Sequence, residues 1–146
     1  QIKIKVKPNE TSGSLIKRAF EIGAKKLVQI IKPIISSNQP KFWILTPQDN
    51  SKATIALKIN KQEAEINWKK PKEEIVNLIN AFNPWPGTFT FIKINNQKKR
   101  LKIWQAETKK GKIIPKIVQL EGKPKTDWKD LSKNKKIKDA LEEKIC

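Results

Sequence analysis

The chain of 146 residues has no histidine and no methionine, and its one cysteine, Cys146, is the last residue. Each absence narrows the chemistry. Without histidine there is no imidazole general base, no Ser-His or Cys-His nucleophile pair, and almost no route to a zinc site. Catalysis by this stretch alone is therefore not expected. One thiol forms no internal disulfide, which suits a reducing cytoplasm, and a terminal cysteine lacks the three following residues that prenylation requires. An open reading frame starts with Met and this chain starts with Gln1, so it reads as a fragment of a longer protein. No apolar run approaches the roughly 20 residues that span a bilayer. Ile2–Lys7 alternates apolar and basic residues, the pattern of a half-buried strand and not of a signal peptide. Acidic residues are also scarce.

Against 14 Asp and Glu stand 32 Lys and Arg, a formal charge of +18. Such a field attracts polyanions, and for a domain of this size the commonest is nucleic acid. An AT-rich genome enriches Lys, Ile and Asn without selection for binding. It enriches Glu as well, however, and Glu stays low here, which favours a functional basic surface.

Hydrophobic spacing divides the chain. Thr11 and Ser14 are candidate caps for a helix over about 14–31, in which Leu15, Ile16, Ala19, Phe20, Leu27, Val28 and Ile31 share one face; Pro33 is expected to stop it. Residues 33–52 are rich in turn formers and contain an apolar island, Phe42-Trp43-Ile44-Leu45. Ala53–Leu57 reads as a short strand, and Asn60 with Glu63 as a capping box for one helical turn. Pro71 opens an amphipathic helix to Phe82, with Ile75, Leu78, Ile79 and Phe82 at i, i+3, i+4 and i+7, and Asn83-Pro84 closes it. Thr88–Ile94 and Arg100–Ala106 form a hairpin about Asn95-Asn96-Gln97. Lys109-Lys110-Gly111 turns into a third strand, Lys112–Leu120, interrupted by Pro115. Asp127–Leu131 reads as a short helix, and the lysine-rich last dozen residues as helical or frayed.

The junction Ile79-Asn80-Ala81-Phe82-Asn83-Pro84-Trp85-Pro86-Gly87-Thr88-Phe89-Thr90 has prolines on both sides of Trp85 and a glycine where helix passes to strand. The indole is expected to fill the gap between the two. This segment resembles the opening of the carboxyl-terminal domain of methionyl-tRNA formyltransferases. Further segments similar to that family follow its order: Ile4–Leu15, Ala53–Trp68, Arg100–Ala106 and Val118–Pro124. Between Ala106 and Val118 the family usually has extra strands, so the barrel here looks shortened. The family's catalytic Asn, His and Asp belong to an amino-terminal domain and to no position of this chain.

The resemblance implies an α+β fold: a small OB-like open β-barrel with a lead-in helix, preceded by a strand–helix remnant of an α/β formyltransferase domain. It divides the chain into 1–35 (end of the catalytic domain), 36–60 (linker) and 61–146 (tRNA-binding domain). The implied reaction of the parent is formyl transfer from 10-formyltetrahydrofolate to the methionine of initiator methionyl-tRNA. This chain would supply the tRNA grip, as a cytoplasmic monomer with no membrane partner, beside its missing amino-terminal catalytic domain.

Lys58 and Lys61 match linker lysines that the family lays against tRNA. Lys98, Lys99, Arg100 and Lys102 crowd one hairpin, where they either converge on phosphates or protect an edge strand. Lys123 and Lys125 flank Pro124. The tail lysines Lys133, Lys135, Lys136 and Lys138 read as a solvated face. Trp68, Trp85 and Trp104 read as core in preference to base-stacking groups, with Ile75, Ile79, Phe82, Phe89, Phe91, Ile103 and Val118 beside them. Glu63, Glu65, Glu73 and Glu74 read as surface ion-pair partners. Two other readings remain: a formyltransferase for amino-sugar nucleotides, for which +18 is superfluous, and a free-standing nucleic-acid-binding module.

Overall fold

The computed structural model describes residues 2–36 and 47–145. Its centre is one antiparallel sheet of four strands in sequential order: β1 (Thr88–Ile94), β2 (Gln97–Lys109), β3 (Lys112–Leu120) and β4 (Thr126–Asp127). Around it lie α1 (Ser12–Ser36), α2 (Lys72–Ala81), the single turn α3 (Trp128–Leu131) and α4 (Lys135–Ile145), with short 3₁₀ turns at Asn50–Lys52 and Lys61–Ala64. The fold is α+β, and the sheet is open. No strand intervenes between β2 and β3, which agrees with the short Ala106–Val118 interval.

Register decides which face is dry. Thr88, Ile103 and Val118 lie side by side, as do Thr90, Leu101 and Leu120. Because strand side chains alternate, these residues and Ile92 point to a single face. That face packs with Ile75, Val76 and Ile79 of α2 and with Ile137 and Leu141 of α4. Thr88 and Thr90 are buried there without penalty. The Thr88 hydroxyl donates to the Ile103 carbonyl at 2.6 Å, and Thr90 Oγ1 accepts the Trp68 indole N–H at 3.0 Å.

The hairpin and α2 match the sequence pattern within a few residues. Asn95 and Asn96 both take positive φ, 49° and 62°, so the two-residue turn needs no glycine. The Asn60 box is also present, with Gln62 N–H donating to Asn60 Oδ1 and the Asn60 N–H to Glu63 Oε1, both at 3.2 Å. Glu74 meets Lys70 at 3.6 Å, while Glu63 serves as a cap.

Other expectations fail for identifiable reasons. Residues 2–7 form no strand, and neither do residues 53–57. A strand needs a ladder partner, and neither segment pairs with the sheet among the described residues. Instead Arg18 Nη2 donates to the Lys5 carbonyl at 2.8 Å. Pro33 does not stop α1, which runs to Ser36, one turn beyond the loss of a single N–H donor. Pro115 does not break β3 but sits opposite Ala106, where the pairing register shifts. Trp85 is 53% exposed and fills no gap. The island at 42–45, with Trp43, lies outside the described residues, as does Cys146. The tail is not frayed: α4 covers the end of β1 with Leu141 fully buried.

Leu141→Ala is expected to destabilise the protein by about 2–5 kcal/mol, the usual cost of a cavity of that kind. Urea unfolding measures it, and an unchanged midpoint would remove α4 from the core. The approach to α1 is tied by acid–base contacts. Arg18 donates to both Glu10 oxygens, at 2.8 and 2.7 Å, and the Lys7 N–H donates to Glu10 Oε2 at 2.9 Å. These bonds, the Arg18 one first, lower the Glu10 pKa from 4.5 to about 2. A depressed carboxylate stabilises fully above its unfolded value and loses that contribution as pH falls through the folded one. Amide protection over residues 5–18, taken relative to the intrinsic exchange rate at each pH, should fall as pH drops from about 4.5 toward 2, and Glu10→Gln should abolish that dependence.

Candidate nucleic-acid interface

The wet face of the sheet carries the charge. On β1, Phe89 and Phe91 alternate with the buried threonines. Opposite them on β2 are Lys102 and Arg100, with Lys98 facing Lys93 farther along. The aromatic rings form a floor beneath the cations. Lys98 Nζ lies 4.1 Å from the Phe91 centroid, and the Arg100 guanidinium lies 4.9 Å from Phe89 and 5.6 Å from Phe91. Such contacts orient a charge without neutralising it.

Trp104 continues the parity of Lys98, Arg100 and Lys102 on this face, and β2 bulges there. Ile103 pairs with Val118 and Gln105 with Ile117, leaving Trp104 as the extra residue; Ala106 then pairs with Pro115, so Lys116 is the compensating extra on β3. A bulge re-aims a side chain, and here it lays an indole against the Asn83–Gly87 turn. Gly87 has φ +78°, and a Cβ added to it would sit 2.7 Å from the Trp104 ring. The Trp104 N–H donates to Gln119 Oε1 at 3.2 Å, and Gln119 Nε2 donates to the Lys123 carbonyl at 3.0 Å. Lys125 Nζ stands 3.5 Å from the Trp104 centroid and Lys102 Nζ 5.1 Å.

Lys102 is the most enclosed of these cations. Its ammonium donates to the Pro86 carbonyl at 3.2 Å. Burial lowers its pKa, and the like charges of Arg100, Lys125 and Lys61 lower it further. Four of the sequence candidates thus act on one another, and Lys98 adjoins them through Arg100 and Phe91. Among the described residues none of the five is in an ion pair. Lysines elsewhere do find acids: Lys70 with Glu74, Lys116 with Glu107, Lys133 with Asp130 and Lys138 with Glu142. One carboxylate lies close by, Glu121, whose Oε2 accepts the Arg100 backbone N–H at 3.2 Å without forming an ion pair with any of the five.

The remaining candidates lie apart. Lys99 belongs to the opposite parity of β2, opposite Ile92. Lys58 is exposed in the irregular segment before the Lys61–Ala64 turn, and Lys123 joins the site through its backbone carbonyl only. Trp104 is buried, in keeping with its core reading, whereas Phe89 and Phe91 are half-buried on this face and not in the core; Gln119 is a further residue of the site. A Thr-Phe-Thr-Phe alternation has two faces able to enter a core, so it does not say which one does. Among the described residues no cluster of His, Cys, Asp or Glu could hold a metal ion, and no helix is long and apolar enough to cross a membrane.

Residues 58–115, which include the turn and most of the basic face, match the family model described as formyl transferase, C-terminal domain. This chain belongs to that family. It is 41% identical over 109 residues to a methionyl-tRNA formyltransferase of Blochmanniella floridana, covering 75% of this chain and 31% of that protein. The enzyme of that name from Methylacidiphilum infernorum is 39% identical over 103 residues, 70% of this chain and 31% of its own length. A Listeria monocytogenes relative so named matches at 28% over 151 residues, 87% of this chain and 46% of that one. The chain thus spans about a third to a half of the relatives' length.

The bulge contact has a direct test. Gly87→Ala adds overpacking to a left-handed backbone strain and should cost roughly 2–5 kcal/mol. Thermal or urea unfolding measures the loss; an unaltered midpoint would mean that Trp104 does not close on Gly87.

Proposed function

We propose that this chain is the tRNA-gripping part of a methionyl-tRNA formyltransferase. The parent reaction is formyl transfer from 10-formyltetrahydrofolate to the amino group of methionine on initiator tRNA. Supporting this are the family match and the crowded set Lys61, Lys98, Arg100, Lys102 and Lys125, none of them in an ion pair among the described residues, on an aromatic floor. The cations lie where the phosphates of one strand would neutralise their mutual repulsion. Lys58 and Lys123 flank the set and Lys99 lies behind it, so their contribution is the smaller one.

In this reading residues 1–35 end the catalytic domain, 36–60 link it, and 61–146 form an OB-like open barrel. The amino-terminal domain handles the formyl donor. The basic face offers lysine, arginine, aromatic and amide groups, suited to a polyanion, and no step of the transfer falls to it. The protein acts as a cytoplasmic monomer. The names of the relatives favour tRNA over an amino-sugar nucleotide, and so does the net charge of +18, more than one diphosphate requires. Phosphate contacts position a ligand without reading its sequence, so the domain contributes affinity more than choice.

Titrating initiator tRNA into the full chain at several salt concentrations tests this. Neutralising five phosphates gives a slope of log affinity against log salt of roughly −3.5 to −4.5. Arg100→Ala should reduce that slope by about 1 and weaken binding to all tRNA sequences alike. A flat dependence would sink the reading. Equal affinity for tRNA and unrelated single strands would instead favour a general nucleic-acid-binding module.

A further inference from the structure

A cleft of about 680 Å³ lies at the far end of the sheet, and none of its lining residues belongs to the basic face. The register explains why it is there. β1 meets β2 only as far as the pair Thr88 and Ile103, so residues 104–109 of β2 and 112–117 of β3 run on past it. α4 lies against β1, with Lys136 near its start donating to Asn95 Oδ1 in the β1–β2 turn at 2.8 Å. Its other end, at Ile145, reaches the β2–β3 turn, and the cleft is the space left between them and Trp128. Buried Ile113 and Pro115 and half-buried Ile114, Trp128 and Ile145 form its apolar lining.

The charged part of the lining is one-sided. Lys109 and Lys112 are directly opposed on the ladder, and Lys110 stands in the turn between them. Like charges placed opposite each other disfavour a strand pair. The Lys72 ammonium donates to the Gly111 carbonyl of the same turn and brings a fourth cation there. Among the described residues none of these four is in an ion pair. The nearby acids are engaged elsewhere. Glu107 meets Lys116 at 2.9 Å, with Lys109 acting on it through its charge alone, and Glu142, the one acid of the lining, meets Lys138 at 3.9 Å.

We propose that this cleft binds a small amphipathic anion, a carboxylate or phosphate ester with an acyl or aromatic body. Its volume falls in the range of small-molecule sites, roughly 300–1,000 Å³. The anionic head relieves the opposed lysines, and the body covers apolar side chains that water otherwise wets. A bare anion would leave that lining exposed, and an uncharged body would leave the lysines unpaired. A nucleic-acid strand spaces its charges along a surface, whereas these are gathered at one turn beside an apolar recess. The inference stands apart from the tRNA reading of the other face.

The experiment is amide chemical-shift titration of the full chain at neutral pH with octanoate, 1-octanol, inorganic phosphate and tRNA. Octanoate is expected to shift amides at 109–115, 128 and 142–145 in a saturable way. Octanol, which lacks the charge, should bind roughly 2- to 30-fold more weakly, as should octanoate to the Lys109→Gln, Lys112→Gln double variant, both positions being exposed. Phosphate should bind roughly tenfold or more weakly, since burial of about two methylenes already supplies that factor. Octanoate shifts confined to α1 would overturn the proposal, and so would the absence of saturation. Octanol or phosphate matching octanoate would overturn it as well, by removing one half of the recognition. Shifts of these amides by tRNA and none by octanoate would overturn it and join the turn to a nucleic-acid surface.

Discussion

The packing of Trp104 on Gly87 is the contact on which the rest of the site depends. A glycine at φ +78° lets the turn pass beneath the ring, and the bulge in β2 turns the ring toward it. The same ring then lies under Lys102 and Lys125 and donates to Gln119, which holds the Lys123 carbonyl. Helix end, sheet and the closing turn after β3 are thereby joined through one side chain. A bulge usually weakens a ladder, and here Lys116 restores the register on β3 a few residues later. The irregularity is local, and Lys102, in regular register just before it, donates to the Pro86 carbonyl of the same turn.

What the sequence made legible follows from what periodicity can encode. The α2 pattern, the hairpin turn and the Asn60 box depend on residues close in the chain, and they appear as expected. Alternation places Lys98, Arg100 and Lys102 on one face of β2 and Lys99 on the other, a distinction that adjacency in the sequence does not carry. Strand parity separates them. Trp104 continues that parity, but its packing on Gly87 was not legible, because a bulge is a relation between two strands and leaves no mark in either alone. Trp85 misled for a related reason. Prolines and a glycine around an aromatic announce a tight turn but not which of its side chains faces inward.

The segments before the sheet are instructive in another way. Ile2–Lys7 and Ala53–Leu57 carry strand-like patterns and remain irregular, and α1 carries a helical stripe in which Ile16, Phe20, Leu27, Val28 and Ile35 are exposed. Helix formation needs only neighbours along the chain, so α1 forms. Strand formation needs an edge to pair with, and the sheet offers these segments none: β1's outer side already receives the Ile66 N–H at the Phe89 carbonyl, 2.8 Å away. An apolar pattern is thus a statement about burial somewhere. Its fulfilment depends on what else is present to bury it.

The distribution of acids completes the physical picture. A chain with 14 carboxylates and 32 cations cannot pair them all, so where the pairs form decides where the field remains. Acids meet lysines beside α2, on the β2–β3 ladder, after α3 and along α4. They do not meet them over Phe89, Phe91 and Trp104. Like charges gathered on one face oppose folding; at Lys102, where burial is the first cause of the lowered pKa, the charges of Arg100, Lys125 and Lys61 lower it further. The aromatic floor offsets that repulsion only in part, since a cation over a ring keeps its charge. The remainder is relieved when an anion arrives, so the same crowding that disfavours the free protein strengthens the complex. Repulsion of this kind, taken alone, would favour any phosphate chain of the right curvature. Choice among such chains has to come from groups beside the field and not from the field itself.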